Sequence, residues 1–196
     1  MKYLATIFLI LPLFLSLSAR AELDDRKGFV YGVGLDFAPY AKYSAAFAGI
    51  DLEKKTSAPG FQTLLGYSWN ETNSLVLELH GTFFREKYEL HEPYKIVEFD
   101  QTVYQYYFGP MWYHYYGKPG KAFFTALGAG SAMSESPWRN FNPNGFGVLV
   151  GAGGEFIEHW QVGVYFFKGS TSGSTTPDLE DCELMFISFC VSRFEY

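Results

Sequence analysis

The chain has 196 residues, 48% hydrophobic and 20% aromatic but only 18% charged, with a formal net charge of −6. That length suits one domain, and 20 Phe, 15 Tyr and 20 Gly exclude a disordered chain, which is poor in aromatics and rich in charge. The acidic balance also excludes nucleic acid as a partner, since phosphate binding needs a clustered basic face.

In chain order, the first segment reads as a cleaved signal peptide over residues 1–21. Lys2 supplies the positive start, Leu4 to Ser18 an apolar run, and Ala19-Arg20-Ala21 the small-residue cleavage site. The run is shorter than the ~20 residues a spanning helix needs. The mature domain is then 22–196, with 175 residues and, once Lys2 and Arg20 are gone, a net charge of −8.

Beyond it, period-two alternation punctuated by Gly, Pro and Asn predicts eight strands, at about 28–38, 60–69, 74–86, 98–113, 121–133, 144–156, 160–168 and 183–196. In the third, Leu75, Leu77, Leu79 and Phe83 share one face, and Glu78, His80 and Thr82 the other. In the fourth, Tyr104, Tyr106 and Phe108 oppose Gln101, Gln105 and Gly109. The sixth and seventh set Phe146, Val148, Val150, Trp160, Val162 and Val164 against Gly147, Gly151, Glu155, Gln161 and Gly163. Cys182 and Cys190, eight positions apart, would be about 26 Å apart in a strand at ~3.3 Å per residue, so they read as unpaired or weakly paired and fit no metal-ligand spacing.

Alternation alone leaves open whether the apolar face points into a soluble barrel or out to lipid. Three features select lipid. Tight turns at 70–73, 117–120 and 157–159 alternate with long connections around 39–59, 87–97, 134–143 and 169–182. Aromatics gather beside the short turns as a girdle: Tyr67, Trp69, Trp112, Tyr113, Phe156, Trp160 and Tyr196, with Tyr115 and Phe123. The opposite face is rich in glycine, as a narrow eight-stranded lumen requires. The fold class expected is therefore all-β, a closed antiparallel eight-stranded transmembrane barrel with short periplasmic turns and longer extracellular loops.

The signal peptide, the strand count, the run from Asn144-Gly145-Phe146-Gly147-Val148 through Gly151-Ala152-Gly153-Gly154-Glu155-Phe156, and the closing Ser192-Arg193-Phe194-Glu195-Tyr196 resemble small outer-membrane β-barrels. The resemblance is to the OmpA/OmpX and opacity-protein superfamily, over nearly all of the mature chain. It implies a Gram-negative outer membrane, insertion by the barrel assembly machinery through a signal like Phe194 and Tyr196, and usually no catalysis. It also sets a parity problem. If Phe194 and Tyr196 face lipid, so do Ser188, Cys190 and Ser192, while Ile187, Phe189 and Val191 point inward, unless a bulge near Ser192 re-aims them.

Small barrels include enzymes. Lipid A deacylases of the PagL kind carry His-x-Ser near the outer end of the seventh strand, because a serine nucleophile needs a histidine within hydrogen-bond reach. The corresponding Val164 to Ser170 holds a serine and no histidine, and none of His80, His91, His114 and His159 stands two residues before a serine. The reading is thus a non-catalytic barrel with a structural or surface-interaction role and no cofactor or metal, with a lipid A hydrolase of rearranged site as the alternative. By parity Asp36, Glu78, His80, Gln101, Gln105, Glu155 and Gln161 project inward, joined by Arg193, as a hydrogen-bonded polar plug.

Expected partners are outer-membrane lipid and lipopolysaccharide, the latter through Lys42, Lys54 and Lys55. A surface ligand could use the long loops, for example Trp138, Arg139 and Phe141. The acidic run Asp178, Glu180, Asp181 and Glu183 reads as solvated loop rather than a calcium site. No soluble domain is expected beyond the last strand.

Overall fold

The computed structural model describes residues 26–47, 50–92, 95–135, 144–157, 159–171 and 179–196, with side chains for all of these except 45–47, 50–52, 86–92, 95–101, 135, 144 and 179–181. The signal peptide, the Trp138–Phe141 patch and Asp178 lie outside the described residues, as do the side chains of Gln101, Glu180 and Asp181. Eight strands follow one another around a closed barrel: β1 Gly28–Phe47, β2 Ile50–Asn70, β3 Asn73–Glu92, β4 Lys95–Tyr116, β5 Phe123–Glu135, β6 Asn144–Ile157, β7 Trp160–Thr171 and β8 Leu179–Glu195. All pairings are antiparallel, and β8 closes on β1. Closure leaves no backbone edge in the wall, the condition for crossing hydrocarbon.

The barrel is inside-out. Phe29, Val33, Leu35, Phe37, Leu65, Leu75, Leu77, Leu127, Val150, Val162, Val164, Phe189 and Val191 are exposed around its outer face, with Leu35 at 78%. In water this belt would far exceed the apolar patches of soluble monomers. Tyr67, Trp69, Trp112, Phe123, Phe156 and Trp160 ring it beside the short turns. A second aromatic ring, not anticipated from the sequence, lies at the other rim. There Phe61 and Phe83 pack against Tyr106 and Tyr104, which stack on each other. Trp69 to Phe61 is eight residues, about 20 Å at ~3.3 Å rise and ~40° tilt, close to the apolar band of such barrels.

Three girdle assignments are corrected. Tyr113 and Tyr115 are buried inside, as their parity with outward Trp112 dictates, and the Tyr196 hydroxyl turns inward to Glu155. On β8 the inward residues are Cys182, Leu184, Phe186, Ser188, Cys190, Ser192 and Phe194, while Ile187, Phe189 and Val191 face out. The β7–β8 register runs unbroken from Trp160↔Arg193 to Thr171↔Cys182, so no bulge is needed at Ser192. Both cysteines are buried, and they do not form a disulfide.

The long connections are corrected as well. A strand crosses with about ten residues, yet β1 to β4 have 20 to 22. What read as loops at 39–59 and 87–97 is mostly ladder: Ala41↔Thr56 to Phe47↔Ile50, and Lys87↔Asp100 to Glu92↔Lys95. The chain absorbs Pro39 in a bulge between Ala38 and Ala41.

Inward glycines make room for rings. A Cβ on Gly151 would lie 2.4 Å from the Tyr165 ring, and one on Gly153 2.1 Å from the Val162 carbonyl and 2.6 Å from Phe124. Next to it, a Cβ on Gly154 meets nothing nearer than 3.8 Å. Gly153→Ala should therefore destabilise by about 1–3 kcal/mol, and Gly154→Ala should stay within about 0.5 kcal/mol. Urea unfolding of the two variants in the same detergent checks the contrast.

Candidate functional site in the barrel lumen

The alternation of β3 sends Glu78 and His80 inward side by side, with Gly109 across the ladder from Glu78, where a Cβ would lie 2.9 Å from the Tyr107 hydroxyl. Glu78 is the hub. Its Oε1 accepts from Gln62 Nε2 at 2.8 Å and lies 3.0 Å from His80 Nδ1, and its Oε2 accepts from the Tyr113 hydroxyl at 2.7 Å. Tyr113 continues to the Tyr165 hydroxyl at 3.3 Å. The other imidazole nitrogen, His80 Nε2, lies 3.2 Å from Ser188 Oγ and 3.3 Å from Asp36 Oδ1. The His80 ring is flanked by Tyr165 at 4.9 Å and Phe186 at 5.4 Å, and Cys190 Sγ donates to Gln62 Oε1. All of these groups are buried.

A second cluster closes the end beside the short turns. Arg26, immediately before β1, inserts its fully buried side chain under the barrel. It pairs with Glu155 Oε2, donates to the Glu71 and Gly117 carbonyls at 2.8 and 3.2 Å, and lies 4.2 Å over the Tyr115 ring. Glu155 also accepts from Gly120 N–H and the Tyr196 hydroxyl, both at 2.7 Å. Gln161 Nε2 donates to the Tyr115 and Tyr196 hydroxyls at 3.0 and 3.2 Å. Toward the other end, Gln105 Nε2 reaches across to the Lys42 carbonyl at 3.0 Å, and the Tyr43 hydroxyl meets Cys182 Sγ at 3.8 Å.

Of the inward residues expected from parity, Asp36, Glu78 and His80 come together, Glu155 and Gln161 form the lower cluster, and Gln105 acts alone. Arg193 is a correction. Paired with Trp160, it lies on the outer face, 41% exposed, with its guanidinium on Glu195. An outward arginine at the strand end reaches interfacial water, whereas in the lumen it would need its own counter-charge. Sequence reasoning missed Arg26, Gln62, Ser188 and the tyrosines Tyr113, Tyr115 and Tyr165. Strand parity was the signal for the last five; Arg26 precedes the alternating run and carried none.

Two chemical capacities follow. The two clusters tie side chains of different strands together across the interior, an arrangement that braces the wall. Separately, Ser188 Oγ, His80 and Glu78 stand in the serine–imidazole–carboxylate order of a hydrolytic triad. Among the described residues, no group of three or more His, Cys, Asp or Glu is arranged to hold a metal ion, and no helix is long and apolar enough to cross a membrane.

No protein-family model matches the chain, and no curated protein does. Solved structures do. The attachment invasion locus protein Ail of Yersinia pestis is 14% identical, with TM-score 0.43, over 85% of this chain and 99% of its own. Neisserial surface protein A is 12% identical, with TM-score 0.49, over 83% and 96%. The outer membrane protein OprG from Pseudomonas aeruginosa is 10% identical, with TM-score 0.48, over 88% and 97%. The likeness is one of fold alone.

Proposed function

We propose that the chain is a non-catalytic barrel protein of a Gram-negative outer membrane, exported by a cleaved signal peptide, which presents its tall β1–β2 and β3–β4 ribbons at the cell surface. The observation that carries the reading is the pairing of an outward apolar belt, bounded by aromatics, with a lumen crossed by the Glu78 and Arg26–Glu155 clusters. A protein built this way gains nothing from its interior except stability, so its interactions belong to its outer wall and ribbons. Its partners are then outer-leaflet lipid and lipopolysaccharide, the assembly machinery during insertion, and any surface ligand the ribbons reach.

Two measurements test this. Mild detergent extraction should give a band whose gel mobility shifts on heating; recovery in the soluble periplasmic fraction would instead point to a lipocalin-like binder. In planar bilayers the protein should give no stable conductance, and uniform single-channel steps would move it into the transport class.

A lipid A hydrolase is the second reading, favoured by Ser188–His80–Glu78. Against it stands burial: Ser188 and His80 have no exposed surface, and the Tyr165 and Phe186 rings flank the imidazole. An acyl chain in the outer leaflet has no route to that hydroxyl. Mass spectra of lipid A from cells with and without the protein decide between the two, since loss of an acyl chain that depends on Ser188 would establish the hydrolase.

A further inference from the structure

Tyr116 and Phe123 form the last rung between β4 and β5, and both rings are exposed, at 55% and 73%. Gly117-Lys118-Pro119-Gly120-Lys121 then turns the chain. Lys121 N–H donates to the Lys118 carbonyl at 3.1 Å, with Pro119 second in the turn and Gly120, at φ +76°, third. Those are the residues and the backbone of a type II turn, whose first and fourth Cα atoms lie within about 7 Å of each other. Two lysines are thereby held side by side on a stiff support.

The turn is fixed from the lumen side. The Gly117 carbonyl accepts from Arg26 at 3.2 Å, and Gly120 N–H donates to Glu155 Oε2 at 2.7 Å. That carboxylate is already occupied, since Oε2 also takes the Arg26 guanidinium and Oε1 the Tyr196 hydroxyl. Lys118 and Lys121 are both exposed, and among the described residues neither makes an ion pair. Glu71, exposed on the neighbouring β2–β3 turn, pairs with neither of them.

We infer that Lys118 and Lys121 clamp the phosphodiester of an anionic phospholipid in the periplasmic leaflet, with its acyl chains lying along Tyr116 and Phe123. The inference rests on the outer-membrane reading above. Height and charge select the ligand. A turn directly past exposed girdle aromatics lies at the level of the head groups. Two cations without counter-charges favour a phosphate that brings no ammonium of its own, such as that of phosphatidylglycerol, over a zwitterionic head group. Its oxygens accept charge-assisted hydrogen bonds from both ammonium groups, whose flexible stems span a gap of this size. The wall supplies the remaining contact, because the exposed Tyr116 and Phe123 rings meet the methylenes next to the head group. An inorganic ion would gain the two lysines without that apolar contact.

Native mass spectrometry of the detergent-solubilised, heat-modifiable mature chain tests the clamp. Phosphatidylglycerol should bind the wild type about thirtyfold more tightly than it binds the Lys118→Gln, Lys121→Gln double variant, the loss expected for two cations at a charged lipid surface. Lys168→Gln, exposed on the outer wall eight residues beyond Trp160 and so toward the far rim, should bind as the wild type does. Phosphatidylcholine should bind weakly, and equally to wild type and double variant. Equal binding of the two lipids by the wild type, or an unchanged phosphatidylglycerol affinity in the double variant, overturns the clamp. Displacement of phosphatidylglycerol by inorganic phosphate at equal concentration overturns the lipid assignment in favour of a free anion. If the double variant loses heat-modifiability, the wild-type comparison of the two lipids still decides. Failure to insert into phosphatidylcholine vesicles counts against the membrane reading itself, whereas insertion without a lipid preference removes only the clamp.

Discussion

Glu78→Leu should lower the unfolding free energy of the barrel by about 3–5 kcal/mol, since it removes the hub of a buried polar network. Leucine fills similar volume, so packing is nearly kept and the loss is one of hydrogen bonding. Gln62 Nε2, His80 Nδ1 and the Tyr113 hydroxyl all lose an acceptor at once, in a space none of them can leave. Glu78→Gln keeps an acceptor of similar shape and should cost roughly half as much. Leu77→Ala is the control on the same strand. Its side chain faces out, where the truncated surface meets lipid rather than a cavity, so it should fall well short of the Glu78→Leu loss. Urea titration in lipid vesicles, followed by tryptophan fluorescence and gel mobility, reads all three. An unchanged midpoint for Glu78→Leu would remove the case for the network.

The wall of the barrel was plain in the sequence because lipid and lumen impose opposite demands on neighbouring positions. Leu75, Leu77, Leu79 and Phe83 against Glu78, His80 and Thr82 admits one pleat, and the structure keeps it. Tyrosine was harder to assign. Its ring suits an interface and its hydroxyl suits a lumen, so composition at a strand end does not settle its direction. Trp112 faces out, which obliges Tyr113 and Tyr115 to face in, and parity outranks the preference of aromatics for strand ends. On β8 the small polar Ser188, Cys190 and Ser192 mark the lumen side by the same rule, while the likeness of Phe194 and Tyr196 to an assembly signal suggested the other parity. The ribbons are hidden because the charged stretches at 39–59 and 87–97 resemble loop, although a strand standing above the lipid needs no apolar face at all. Arg26 could not be read locally, since its partner Glu155 is 129 positions away and the two meet only when the barrel closes.

That closure makes the Arg26 contact the other large expected effect. Arg26→Ala should cost about 3 kcal/mol, because Glu155 then stays buried with only neutral donors, Gly120 N–H and the Tyr196 hydroxyl. Glu155→Leu should cost at least as much, leaving a fully buried guanidinium whose remaining acceptors are the carbonyls of Glu71 and Gly117. The Arg26→Met, Glu155→Leu pair removes both charges together and should recover about 1–3 kcal/mol relative to the summed single losses. Coupling of that size separates a true buried ion pair from two independent packing defects, which would add. The location of the damage is a second readout. Arg26 joins turns that close β2–β3 and β4–β5, and Glu155 links them to Tyr196 at the chain's end, so amides near 70–73, 117–121 and 193–196 should lose exchange protection together. The β1–β2 ribbon, at the far rim, should keep its own. If exchange rises only next to residue 26, the arginine is a local anchor and does not tie the lower rim together.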